Sequence, residues 1–225
     1  VEHHPSTGRL PVTPGDVRAA AETIRGRVHR TPTFTSASLG PGRHLKAELF
    51  QRTGSFKARG VLNRLATLDA DERRRGVIGV SAGNHAQALA WGAAEEEIDA
   101  LVVMWQGASE AKIAATRAYG ATVDLEARDP GEAFERLHRL REQGGRVFVH
   151  PFDDPVVIAG AGTVGLEILE DVPGVDTIVV SSGGGGLVAG IAAASVPAGV
   201  RVVAVEPERS NALQLGVAAG EPVPL

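Results

Sequence analysis

The sequence predicts an α/β fold: two open parallel-sheet domains with a ligand cleft between them. Three observations carry this. Short apolar strands alternate with amphipathic helices from residue 77 onward, the pattern of a parallel sheet covered on both faces. Two of those strands run straight into glycine- and serine-rich loops that open helices, which is where open α/β sheets bind ligands. The composition is 43% hydrophobic but only 4% aromatic, with Ala, Val and Gly abundant, which suits close helix–sheet packing.

Taken in order, residues 1–15 are rich in Pro and Gly and read as a loose arm. Thr13-Pro14-Gly15-Asp16 is a helix start, with a helix expected over 17–28 and broken by Thr31-Pro32. Residues 45–50 alternate polar and apolar and read as a strand. Thr53-Gly54-Ser55 is turn chemistry, with Ser55 expected to cap a helix that begins near Lys57 and ends near Leu68. Strands are expected at 77–80, 100–104, 121–125, 146–149, 177–180 and 201–206. Helices are expected at 86–96, 109–119, 131–143, 156–171, 187–194 and 211–219. Pro151 to Pro155 reads as a crossover between domains, which divides the chain into 1–67 with 151–225 (the larger domain) and 68–150 (the smaller).

Charge and composition exclude several functions. The net charge is −4, and the longest basic run, Arg73-Arg74-Arg75, follows Asp69, Asp71 and Glu72. That is a solvated helix end, not a nucleic-acid patch. Without cysteine there is no disulfide, thiolate metal site or Cys nucleophile. No stretch approaches a membrane span and no signal peptide is visible, so a soluble cytoplasmic protein is expected.

Three glycine loops could bind a ligand. Ser182-Gly183-Gly184-Gly185-Gly186-Leu187 follows a strand and opens a helix. Successive backbone N–H groups there can converge on one anion, reinforced by the helix dipole. The plainer reading is a tight turn, but four successive glycines exceed what a turn needs. Ser81-Ala82-Gly83-Asn84-His85 offers hydroxyl, amide and backbone donors suited to a carboxylate; the plainer reading is helix capping. Gly160-Ala161-Gly162-Thr163-Val164-Gly165 matches the dinucleotide fingerprint G-x-G-x-x-G and keeps an NAD-dependent oxidoreductase as an alternative. Against it, the next strand ends in Ser181-Ser182, without an acid for the ribose. Lys57 is a cation at a helix N-terminus, where the dipole disfavours one. It is either a solvated surface lysine or a Schiff-base nucleophile for an aldehyde cofactor.

Lys46 to Gly60, containing Thr53-Gly54-Ser55-Phe56-Lys57, resembles the cofactor-lysine segment of fold-type II pyridoxal-phosphate enzymes, in the branch of threonine/serine dehydratases and serine racemases. Ser81 to Gln87 resembles that family's substrate-carboxylate loop, and Ser182 to Leu187 its phosphate loop. Gly107 to Lys112 and Ile158 to Thr163 also read as in the family, and the latter accounts for the fingerprint glycines. The resemblance implies a tryptophan synthase β-like fold and pyridoxal 5'-phosphate as cofactor. It implies that Lys57 carries the cofactor as a Schiff base, that Phe56 packs on the ring, and that Asn84 bonds the ring hydroxyl oxygen. Backbone from Gly183, Gly184, Gly185, Gly186 and Leu187 would hold the phosphate, and Ser81, Ala82, Gly83, Asn84 and His85 would form the substrate loop. The implied activity is β-elimination of L-threonine or L-serine to a 2-oxo acid and ammonia, with a homodimer expected.

Two departures from the family pattern matter. Racemases of this branch carry a serine where this chain has Ala82, and a methyl group cannot reprotonate the opposite face, so elimination is favoured over racemisation. Serine racemase and hydroxyaspartate dehydratase remain alternatives within the family. Glu206 matches a position that can hold a divalent cation, but Ala212 stands near the place of the partner acid, so no metal is expected. Family chains also continue past this ending. That implies either a fragment or a shortened relative, including a non-catalytic one.

Overall fold

The computed structural model describes residues 12–221 and 223. Residues 1–11 of the expected arm lie outside the described residues, while Pro14 and Gly15 already belong to the first helix. The elements are α1 (Pro14–Thr23), β1 (Thr33–Thr35), β2 (His44–Lys46), α2 (Lys57–Leu65), α3 (Ala70–Arg75), β3 (Val77–Val80), α4 (Asn84–Glu95), β4 (Ala100–Trp105), α5 (Glu110–Ala118), β5 (Thr122–Ala127), α6 (Pro130–Gly144), β6 (Val147–Phe148), α7 (Pro155–Asp171), β7 (Thr177–Ser181), α8 (Gly186–Ser195), β8 (Arg201–Val205) and α9 (Ala212–Ala219).

Strands β3 to β6 form one parallel sheet in the order β5-β4-β3-β6. Successive side chains point to opposite faces. Val77, Val102 and Met104 therefore pack with Leu89 of α4 on one side, while Ile78, Val80 and Val103 pack with Leu137 of α6 on the other. All of β3 is buried, which explains its continuous apolar run. Strands β7 and β8 form a second parallel pair joined through α8, with Ile178 opposite Val202. Ile178 and Val180 face the helices; Val179, on the other side, is 67% exposed.

Helices α2, α7 and α8 cross where side chains are missing. A Cβ on Gly60 would lie 2.7 Å from Val157 O, and one on Gly160 2.7 Å from Arg59 O. One on Gly162 would lie 2.6 Å from Gly190 O, and one on Gly190 2.3 Å from Ile158 O. The fingerprint glycines thus sit inside α7, not at a strand-to-helix turn. They are there for backbone contact between helices, and the dinucleotide reading loses its structural basis.

Three local expectations are corrected. The expected strand at 45–50 stops at Lys46; Glu48–Phe50 is a turn of 3-10 helix, and Leu49 and Phe50 are 67% and 53% exposed because no second strand covers that stretch. Instead β2 pairs with β1 in a small antiparallel ribbon. The helix expected over 17–28 ends at Thr23, and Gly26 turns the chain with φ +72°. Ser55 does not cap α2: Phe56 holds the cap position, no side chain caps it, and Ser55 Oγ is buried without a hydrogen-bond partner.

One charged network orients the segment before α2. Arg59, only 1% exposed, donates to Glu48 at 2.9 and 2.8 Å and to Glu167 at 2.6 and 3.0 Å. Lys46 pairs with Glu167 at 2.7 Å and Asp171 at 2.9 Å. A buried guanidinium is tolerable only with such pairing, so α2 is locked to α7 one turn from Lys57. We propose the boundary of two lobes at 67/68 and 150/151, because the four-stranded sheet lies wholly within 68–150.

Candidate active site

Lys57 is the first residue of α2. Its Nζ donates to Pro151 O at 2.6 Å and stands 5.0 Å from the centre of the Phe56 ring. Burial lowers its pKa from 10.5 to about 8, because an ammonium loses solvation there that one carbonyl does not replace. Near neutral pH a useful fraction is therefore free amine. Lys57 and Phe56 line a pocket together with Pro151, Phe152, Gly186 and Leu187, so the structure brings the lysine and the end of the glycine loop into one place.

The loop 182–185 joins β7 to α8. Gly185 has φ +82°, a conformation that favours glycine, and no side chain caps α8. A Cβ on Gly184 would lie 2.4 Å from the Phe152 ring, and one on Gly186 2.6 Å from Phe152 O. Gly183 meets no such obstruction. Ser182 Oγ is buried with no hydrogen-bond partner. Uncapped N–H groups at a helix start, a glycine cradle and an orphaned hydroxyl form a donor set for an anion.

The loop 81–85 joins β3 to α4. Gly83 holds the cap position of α4 and no side chain caps the helix. Ser81 Oγ instead accepts from Gly83 N at 3.0 Å. The capping explanation for Ser81 and Asn84 therefore fails, and Asn84 stays exposed. The side chain of His85 does not face the loop. It is 3% exposed, and its Nε2 donates to Val149 O at 2.9 Å. Burial, then the neighbouring charge of Lys57, hold its pKa near 3. His85 is thus a neutral imidazole that ties α4 to the residue after β6; only its backbone remains available to the loop. Residues 81–84 are not part of the pocket around Lys57.

Two features were not foreseen from sequence. Residues 149–154, read as the end of a strand and a crossover from Pro151, touch three parts of the molecule: Val149 O accepts from His85, Pro151 O from Lys57, and Phe152 fills the space over Gly184 and Gly186. Asp154 accepts from Val156 N and Val157 N to cap α7 and pairs with Arg64 of α2 at 3.0 Å. Lys112 of α5 places Nζ 3.6 Å from where a Gly83 Cβ would stand; its segment carried a family resemblance but no role. Glu206 accepts from Leu213 N and Gln214 N at 3.0 and 2.9 Å. It caps α9, and no metal-ligating cluster occurs among the described residues.

This fold and site define a class. Residues 24–225 match the family described as pyridoxal-phosphate dependent enzyme, and the chain belongs to that family. It is 47% identical over 203 residues to the L-threonine ammonia-lyase of Thermotoga maritima, covering 88% of this chain and 51% of the relative. It is 42% identical over 218 residues to the catabolic L-threonine dehydratase of Escherichia coli strain K12, covering 94% and 66%. Among solved structures, maize serine racemase superposes with a TM-score of 0.91 at 34% identity, over 96% of this chain and 67% of that one. The processed form of threonine deaminase isoform 2 from Solanum lycopersicum gives 0.86 at 33%, over 94% and 63%. The chain thus spans about half of one curated relative and about two-thirds of the other.

The cofactor of the family is pyridoxal 5'-phosphate. The residues present fit it: a half-buried lysine amine for the aldehyde, and an uncapped glycine cradle with an orphaned serine hydroxyl for the phosphate.

Proposed function

We propose that the chain carries the cofactor-binding part of an enzyme that removes water from a β-hydroxy amino acid, L-threonine or L-serine. The resulting enamine hydrolyses to a 2-oxo acid and ammonia. The observation that carries this reading is Lys57, a lysine kept partly as free amine by burial in the pocket it shares with Gly186 of the glycine loop. Lys57 would hold the cofactor, Phe56 would pack beside it, Asn84 would reach the ring hydroxyl, and the backbone of residues 183–187 would hold the phosphate.

The bound cofactor supplies an electron sink for the carbanion formed at the substrate Cα. The other steps belong to this chain. The N–H groups at the start of α4, with Ser81 and Asn84, hold the α-carboxylate. Lys57 Nζ, as neutral amine, takes the Cα proton. Phe56, Phe152 and Leu187 exclude water from the pocket. By likeness to the family, Ala82 would stand opposite Lys57, and its methyl cannot return a proton, so elimination is favoured over the racemisation named for the maize structure. A homodimer in the cytoplasm belongs to the same reading, the dimer by likeness to the family.

Borohydride reduction of the cofactor-loaded chain, followed by peptide mapping, tests the assignment. The pyridoxyl label is expected on Lys57, and a label on another lysine overturns it. Release of 2-oxobutanoate from L-threonine tests the reaction, and light scattering tests the dimer.

A further inference from the structure

The turn after β6 is held by one side chain. His150 Nδ1 accepts from Asp153 N at 2.7 Å and from Phe152 N at 3.2 Å. A nitrogen that accepts two backbone N–H groups carries no proton, so the ring is neutral with its hydrogen on Nε2. The ring is also wedged edge-to-face between Phe148, at 5.3 Å, and Phe152, at 4.7 Å. Between these anchors lies Pro151, whose carbonyl receives the Lys57 amine. The charged groups around His150 are Asp153, Asp154 and Lys57, and burial lowers its pKa against the pull of the two aspartates.

We propose that His150 is a positioning residue for Lys57: by accepting two N–H groups at Nδ1 it holds the turn in which Pro151 O meets the lysine amine and Phe152 closes the pocket beside it. The physical reason is local. A proline supplies a carbonyl but no N–H, so Pro151 adds no backbone donor of its own to anchor the turn. The two N–H groups that follow it find their partner in the His150 ring. Without that acceptor they must turn to water, the Phe152 ring is free to leave Gly184, and water reaches Lys57. The inference rests on Lys57 being the cofactor-bearing lysine.

The test uses the cofactor-free 225-residue chain and three variants, His150→Asn, His150→Gln and His150→Ala. The Asn amide oxygen lies as many bonds from the backbone as Nδ1 and can accept both N–H groups; the Gln oxygen lies one atom further out and Ala has none. Competitive acetylation of Lys57 is followed by mass spectrometry of its peptide across pH. The parent midpoint is expected at about 8. His150→Asn should stay within about half a unit of it, while His150→Gln and His150→Ala should rise by about one unit or more as water returns to the pocket. Circular dichroism checks folding; if His150→Ala does not fold, the Asn and Gln pair decides. Equal midpoints in parent, Asn and Gln variants overturn the proposal, as does an Asn variant that shifts with Gln. The readout needs neither cofactor nor turnover, so its failure is distinguishable from failure of the proposed elimination.

Discussion

Phe152 occupies the space that a side chain on Gly184 would need: the nearest ring atoms are 2.4 Å from the Cβ position. The ring belongs to the turn that receives Lys57, and the glycine to the loop proposed to hold phosphate. One contact therefore couples the two proposed anchors of the cofactor. Gly184→Ala is expected to destabilise the cofactor-free chain by about 1–3 kcal/mol through overpacking and to weaken cofactor binding at least about tenfold. Gly183→Ala, which meets nothing within 4 Å, should keep the parent's thermal midpoint. Differential scanning fluorimetry with cofactor titration measures both.

Lys57 should govern chemistry and its pH dependence. Lys57→Ala is expected to lower kcat by at least about a thousandfold, the scale for losing a proton-transfer group. Lys57→Arg, always charged, should be as poor. In the free chain, the rate at which Lys57 condenses with a simple aldehyde should rise with a midpoint near 8 rather than near the roughly 10.4 of an ordinary lysine.

His85 should make the protein sensitive to mild acid. Its folded-state pKa, about 3, lies below the ordinary 6.5. Between those values the unfolded chain binds a proton that the folded chain cannot. Stability from this group is thus complete above 6.5 and falls as the pH drops toward 3. Urea unfolding should show a loss of up to about 2 kcal/mol between about pH 7 and about pH 5. His85→Gln, whose amide can still donate to Val149 O, should lose less over that interval.

Gly162 and Gly190 should tolerate no side chain. Gly190→Ala would push a methyl to within 2.3 Å of Ile158 O, and backbone cannot step aside as a side-chain end can. A loss of about 3 kcal/mol or more is expected, at the upper end for overpacking, read by urea unfolding. Nicotinamide cofactors should not protect either the parent or the variant, because these glycines pack helices.

Lys112 should matter to the substrate more than to the cofactor. With its Nζ beside Gly83, Lys112→Met is expected to raise KM for L-threonine several-fold, on the order of 1 kcal/mol for a partly exposed charge, with cofactor affinity unchanged. Steady-state kinetics and cofactor titration separate the two effects.

Much of the fold was legible in the sequence because it is written in local patterns. The run at Val77–Val80 is apolar on both faces because helices cover both faces, and its bounds coincide with β3. The apolar run over 156–171 marks α7, which begins one residue earlier, at Pro155. The stretch 45–50 misled because alternation signals a strand only if another strand is there to pair with it, and past Lys46 none is. Ser55 misled because serine before a helix is a capping signal, yet here its hydroxyl turns into the interior.

By itself the sequence determined the order of strands and helices from Val77 onward, the two glycine- and serine-rich loops at strand ends, and the lysine at the start of α2. Each depends on neighbours within a few residues. Only the tertiary structure decided what the fingerprint glycines do, where the His85 ring points, and why the Lys57 amine loses its proton easily. Those properties depend on partners far along the chain: Gly190 for Gly162, Val149 for His85, Pro151 for Lys57. Burial and hydrogen bonding of this kind arise from packing, and no local pattern around Lys57 announces that residues 149–154 will close over it.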